Sequence, residues 1–250
     1  MILQRLKKHR RYLLLDIDTQ RDFLLAEGRA CVRNHSEVLI NIRRIMAWSR
    51  RRHVRVISTA EVHPNNNGAS VIPYCIDGTA GQRKIPYTLL TNRASFPADD
   101  LNALPAELWR SCRQVVLHKR CTDPFEEPRI DRLLSEVQVE EFVLMGVCAE
   151  DAVQATALGL LQRGRRVSVV VDALGWRNNR EAKLALRKMK AKGARLITTE
   201  TLAGSSRLGC AGACKCGTCR KKRYILYERR HLTTENAHAI GRLSTEQPQE

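Results

Sequence analysis

The chain has 250 residues, 43% hydrophobic and 28% charged. That suffices for one large α/β domain with a full core, or for two small ones. Forty-three Lys and Arg against 26 Asp and Glu leave a net charge of +17. The charge bunches in "RLKKHRR" and "RKKRYILYERRH" and would attract polyanions or acidic surfaces, but does not dictate a fold. No apolar run reaches the ~18 residues that a membrane span needs. The short run Tyr12–Leu15, stopped by Asp16, is not the apolar stretch of a signal peptide. A cytoplasmic location is therefore expected.

"YLLLDID" reads as a buried strand with acidic residues at its carboxyl end. In "NHSEVLINIRRIMAWSRRR", Val38, Leu39, Ile42, Ile45 and Met46 recur at helical spacing with arginines between them. "HVRVISTAEVH" predicts a second strand. Pro64 to about Pro105 is rich in Asn, Gly and Pro and reads as one long functional loop. "CRQVVLHK", "EEFVLMGV", "RVSVVVDAL" and "ARLITTETL" predict four more strands. Between them, "PRIDRLLSEV", "AEDAVQATALGLLQRG" and "NREAKLALRKMKAKG" predict helices. Alternating strands and helices imply a Rossmann-like three-layer α/β sandwich: about six mainly parallel strands, helices on both faces. The expected organisation is a basic lead-in over 1–11, one domain over 12–203 and a Cys-rich basic tail over 204–250.

Ligands of such sheets bind beyond the carboxyl ends of the strands. That rule puts Asp16, Asp18, Glu61, His63, Lys119, Cys148 and Asp172 on one rim. Asp18 can serve there as an acid or base, or merely cap a turn. Lys119 can orient a carboxylate or stabilise negative charge, although taken alone it reads as a snorkelling lysine. "GVCAEDAV" turns a strand into a helix whose first N–H groups are free for an anion and would lower the pKa of a thiol there. Cys148 reads equally as a buried structural cysteine.

Together these segments resemble the isochorismatase-like superfamily, with its nicotinamidases and related cysteine hydrolases, over about residues 12–204. "DIDTQRDF" resembles its first motif, making Asp18 the catalytic carboxylate with Gln20, Asp22 and Phe23 in register. Lys119 in "VLHKRCTDPF" resembles the catalytic lysine, with Phe125 at the usual aromatic position. "CIDGTAG" resembles a segment of the substrate-side loop. "GVCAEDAVQATALGLLQRGRRVSVVVDALG" resembles the third motif without a gap. Its register, fixed by Gly146, Val153, Thr156 and Ala157, puts Ala152 at the nucleophile position. Cys148 then falls on the oxyanion side, after an expected cis peptide at Val147–Cys148. Gln20 and Phe23 are expected to line the pocket.

A methyl group cannot attack an amide, so the usual thioester route is closed. Three readings remain. In the first, Asp18 protonates a vinyl ether without a covalent intermediate, as isochorismatases are thought to do, if a dry pocket raises its pKa. In the second, the chain binds a small molecule or a partner without catalysis. Or Cys148 acts as a displaced nucleophile, although a helical turn of about 5 Å is far outside attack geometry.

"EVH" puts Glu61 and His63 where nicotinamidases begin a metal site, but Tyr74 stands where a later ligand is expected. The main domain is therefore expected to need no cofactor. In the tail, Cys210, Cys214, Cys216 and Cys219 suit zinc first and an iron–sulfur cluster second, or are incidental thiols. The expected partners are a small-molecule ligand, a second copy in a homo-oligomer, and a nucleic acid or acidic partner on the basic tail.

Overall fold

A computed structural model describes residues 10–65, 72–98 and 104–204. Seven strands form one sheet in the order β3-β4-β2-β1-β5-β6-β7. They are β1 (Arg10–Ile17), β2 (Arg55–Glu61), β3 (Arg93–Phe96), β4 (Gln114–Lys119), β5 (Val139–Gly146), β6 (Val167–Leu174) and β7 (Arg195–Ile197). Every pairing is parallel. The helices are α1 (Arg21–Leu24), α2 (His35–Arg51), α3 (Leu108–Ser111), α4 (Arg129–Ser135), α5 (Ala152–Gln162), α6 (Asn179–Ala191) and α7 (Thr199–Ala203).

The α/β sandwich expected from the sequence is present, with one strand more than the six expected. The addition, β3, lies inside the stretch read as a continuous loop. It is a four-residue edge strand pairing only with β4, and its alternating half-buried pattern is too short to give a period in the sequence. Central strands read clearly because both of their faces are covered. Leu13, Leu15 and Ile17 of β1 join one core with Leu133 and Leu134 of α4, Val153, Ala157 and Leu160 of α5, and Ala185 and Met189 of α6. Leu14 faces the other way and is also fully buried. Helix α2 packs on β5 and β6, and α7 packs against α2. Val38, Ile42, Ile45 and Met46 form the buried stripe of α2.

The chain winds outward from β1 in one direction through β2 and β4, then returns to lay β5 on the other side of β1. The strand order reverses between β1 and β5, where crevices open in such sheets. Gly146, which ends β5, makes the close approach there. Its φ is +132°, and a Cβ would sit 2.0 Å from the Ile17 carbonyl oxygen. The lead-in before Arg10 and the tail cysteines Cys210, Cys214, Cys216 and Cys219 lie outside the described residues.

Candidate active site

Asp18 leaves β1 in a left-handed conformation, φ +46°, a region that Asp tolerates better than most residues. Thr59 of β2 fixes it twice: the Asp18 amide donates to Thr59 Oγ1 at 3.2 Å, and that hydroxyl donates to Asp18 Oδ1 at 2.7 Å. Oδ2 is left for Lys119, the last residue of β4, whose Nζ stands 2.8 Å away. Lys119 Nζ also donates to the Cys121 carbonyl at 2.9 Å and lies 3.8 Å from Glu61 Oε2. Both side chains of the Asp18–Lys119 pair are 1% exposed. The ion pair is the only polar contact of Asp18 Oδ2 among the described residues, and it lacks the alignment of a hydrogen bond.

Glu61 and His63 complete the floor, with His63 Nε2 and Glu61 Oε1 2.8 Å apart. Burial, partly offset by the Lys119 ammonium, holds the Glu61 carboxyl above its ordinary range. Burial works against the Lys119 charge, but the Asp18 and Glu61 carboxylates outweigh it and raise the pKa.

Gln20 acts as a clamp. Its Nε2 donates to the Glu61 and Gln82 carbonyls at 2.6 and 2.8 Å, and its Oε1 accepts from the Glu61 amide at 2.8 Å. It sets the Glu61 backbone, and both of its polar atoms are spent in doing so. Phe23 is buried with its ring 5.3 Å from that of Tyr74. Asp22 accepts from the Cys75 amide at 2.7 Å and so ties down the loop carrying "CIDGTAG". Phe125 lies under α5 instead of in the site; a Cβ on Gly159 would fall 2.2 Å from its ring.

The β5–α5 turn forms the remaining wall. The Val147–Cys148 peptide is cis, where the resemblance puts one. Loop residues after β6 brace the turn: Gly175 donates to the Gly146 carbonyl at 2.9 Å, and Ala149 to the Gly175 carbonyl at 2.8 Å. Ala152 opens α5 and is 2% exposed. Among the described residues, the backbone N–H groups of Cys148 and Ala152 have no acceptor, which leaves two donors for a negative oxygen. Cys148 is 4% exposed. The expected lowering of its pKa by the helix terminus is overturned: burial dominates the pull of Arg177 and pushes the thiol well above its usual range.

Two participants escaped the sequence reading. Arg177, after β6, forms an ion pair with Asp151 and stands near enough to the Tyr74 hydroxyl to pull its pKa down against burial. Its backbone N–H and that of Asn178 donate to Glu150 Oε1 at 2.7 and 2.9 Å. Two acidic residues expected on the rim, Asp16 and Asp172, serve elsewhere. Asp16 binds Lys84 at 3.1 Å together with the Ser58 and Thr19 hydroxyls, below the site. Asp172 receives the Thr199 amide and hydroxyl at 2.8 and 2.9 Å, anchoring α7. Arg177 and Lys84 had no signal beyond being two of many basic residues.

The rim does not suit the divalent metal that resemblance to the nicotinamidases suggests. Glu61 and His63 are bonded to each other, an ammonium stands beside them, and no cluster of three metal-ligating side chains occurs among the described residues. A separate cavity of about 1190 Å³ opens at the amino ends of the strands, lined by Arg11, Trp48, Arg52 and Trp109 among others. The titratable cluster of Asp18, Lys119, Glu61 and His63 gathers at the opposite ends.

Comparison with known proteins agrees with this geometry. The isochorismatase domain profile matches residues 12–201. The nicotinamidase of Escherichia coli is 25% identical over 201 residues, 74% of this chain and 93% of that protein. Human isochorismatase domain-containing protein 2 is 40% identical over 68 residues, which span 27% of this chain and 33% of that protein. The pyrazinamidase of Pyrococcus horikoshii, solved in complex with zinc, superposes with a TM-score of 0.59 at 21% identity, covering 75% of this chain and 99% of that one. The MAR1 ribonuclease of Caenorhabditis elegans gives a TM-score of 0.52 at 21% identity, covering 78% and 80%. These two structures share the fold.

Proposed function

The chain belongs to the isochorismatase domain family, and on that premise we propose that it is a hydrolase of a small metabolite working without a cysteine nucleophile. The observation that carries this reading is the Asp18–Lys119 ion pair, 2.8 Å long and 1% exposed, beside an alanine in the nucleophile register. A structural role alone does not ask for a buried lysine at a strand end, because desolvating it is costly. A vinyl ether suits the pair. In the resting site the proton sits on Lys119 Nζ. Asp18 Oδ2 takes it up and delivers it to the terminal vinyl carbon, leaving an oxocarbenium ion. Water adds to the oxygen-bearing carbon and returns a proton through Asp18 to Lys119, and the hemiketal collapses to a carbonyl compound and an alcohol. No bond to the protein forms, and Ala152 has no part beyond leaving room.

A second reading rests on the same burial. Asp18, Lys119, Cys148 and Ala152 are all 4% exposed or less, which also fits a protein that retains a closed ligand site and does no chemistry. Purified protein assayed on isochorismate and on small amides, with Asp18→Asn beside it, separates the two. Turnover of isochorismate that Asp18→Asn abolishes supports the hydrolase. Turnover unchanged in the variant refutes the role of Asp18, and binding without turnover favours the second reading. We also propose a homo-oligomer, zinc or, second, an iron–sulfur cluster on Cys210, Cys214, Cys216 and Cys219, and a nucleic acid or acidic partner on the basic tail. Metal content before and after Cys214→Ser tests the tail site; no metal in either sample rejects it.

A further inference from the structure

The polar groups of the rim form one continuous arc. Asp18 pairs with Lys119 at 2.8 Å, Lys119 stands 3.8 Å from Glu61, and Glu61 meets His63 at 2.8 Å. The His63 ring packs edge-on to Tyr74 with centroids 5.4 Å apart. Tyr74 lies within electrostatic reach of Arg177, and Arg177 pairs with Asp151 in the turn before Ala152. The arc therefore runs from one side of the Ala152 position to the other.

We infer that this closed arc stands in for a divalent metal, so that the positive charge of the site is carried by two fixed side chains, Lys119 and Arg177. The Glu61 and His63 side chains are only 10% and 8% exposed and face each other. A metal ion would have to part them and break that contact. It would gain two ligands where stable sites use four. It would also enter beside the Lys119 ammonium, where like charges repel strongly at low effective dielectric. Tyr74, at the place of a later ligand, packs its ring on Phe23 and His63 and lies within reach of the Arg177 charge. The Arg177 guanidinium is itself held by its ion pair with Asp151, and Glu150 accepts from the backbone N–H groups of Arg177 and Asn178. A cation that cannot leave replaces one that could be chelated away.

The inference does not depend on turnover and is tested without it. The full chain carrying Ser at Cys210, Cys214, Cys216 and Cys219 is titrated with zinc and with cobalt(II). Bound metal, the cobalt absorption spectrum and the melting temperature are recorded, then again after dialysis against a chelator. The expected result is no stoichiometric uptake, no protein-bound cobalt spectrum and an unchanged melting temperature. One ion per chain that is lost on His63→Ala, or on His63→Gln should the alanine variant fold poorly, would overturn the inference. Uptake indifferent to both His63 variants marks adventitious sites elsewhere and leaves the inference standing.

Discussion

Replacing Lys119 by Met tests how much of the domain rests on the buried pair. Methionine keeps the length and apolar character of the stem, so the change is mostly electrostatic. At the observed separations of 2.8 and 3.8 Å, Coulomb attraction at an effective dielectric of 20 is about 6 kcal/mol for Asp18 and about 4 kcal/mol for Glu61, before desolvation is charged against it. What the variant measures is the cost of leaving Asp18 buried beside a methyl group, about 3–5 kcal/mol for a broken buried pair. For a domain of this size that lowers the melting temperature by about 6–20 °C. Asp18→Asn combined with Lys119→Met removes both charges and should recover more than about 1 kcal/mol relative to simple addition of the two single effects. Urea unfolding of the four proteins of this cycle gives the coupling directly. A single-variant cost below about 1 kcal/mol, the value of an exposed ion pair, would refute the claim that the pair is dry.

The pH profile has two limbs with the same sign. Glu61 has a folded pKa above its unfolded one, so folding takes up protons, and stability falls as pH rises from the ordinary carboxylate range through the raised value. Glu61→Gln should flatten that limb in a urea-unfolding series. Lys119 is also raised, and its contribution is complete below the ordinary lysine range and lost as pH climbs through the folded value; Lys119→Met should lack the alkaline limb. Gly146→Ala should cost more than about 3 kcal/mol or prevent folding, because the new Cβ would meet the Ile17 backbone at 2.0 Å in a positive-φ position; a native melting curve would contradict this close approach. In timed alkylation with peptide mapping, half-buried Cys31 and Cys121 should react well before buried Cys75, Cys112 and Cys148. Early modification of Cys148 would revive it as a nucleophile.

The central strands and the long helices were legible because burial on two faces writes continuous apolar runs, and burial on one writes a 3.6 period. Strand β3 was not, since a short edge strand buries too little to leave a pattern. The acidic and basic residues of the rim were legible as strand ends, but their division of labour was not. Asp16 and Asp18 are two residues apart, yet one serves Lys84 and the other Lys119. The register of β1, β2 and β4 brings Lys119 to Asp18, whereas Lys84 reaches Asp16 from the loop between β2 and β3. Arg177 was invisible for a further reason: its partners Tyr74 and Asp151 come from two other loops, and no local pattern encodes a contact among three loops.

On the proposed reading, the alanine in the nucleophile register and the closed Glu61–His63 pair are two sides of one arrangement. A cysteine nucleophile needs groups that make and hold a thiolate, and a metal at the same rim would hold the group being attacked. Here the turn offers a methyl group at Ala152, and the one thiol nearby, Cys148, is pushed toward its neutral form by burial. The carboxylate and imidazole at the metal position are joined to each other at 2.8 Å. What survives is the part that moves a proton: Asp18 Oδ2 with an unaligned lone pair, Lys119 held charged, and two free N–H groups beside Ala152. Ala152→Cys places a thiol next to this machinery without altering it. If the surrounding site is intact, that variant should form a covalent adduct with a small amide or aldehyde, visible as a mass increase that Lys119→Met prevents. An Ala152→Cys thiol that never reacts while the protein remains folded would mean that the cluster no longer activates anything, and the binding reading would then stand over the hydrolase.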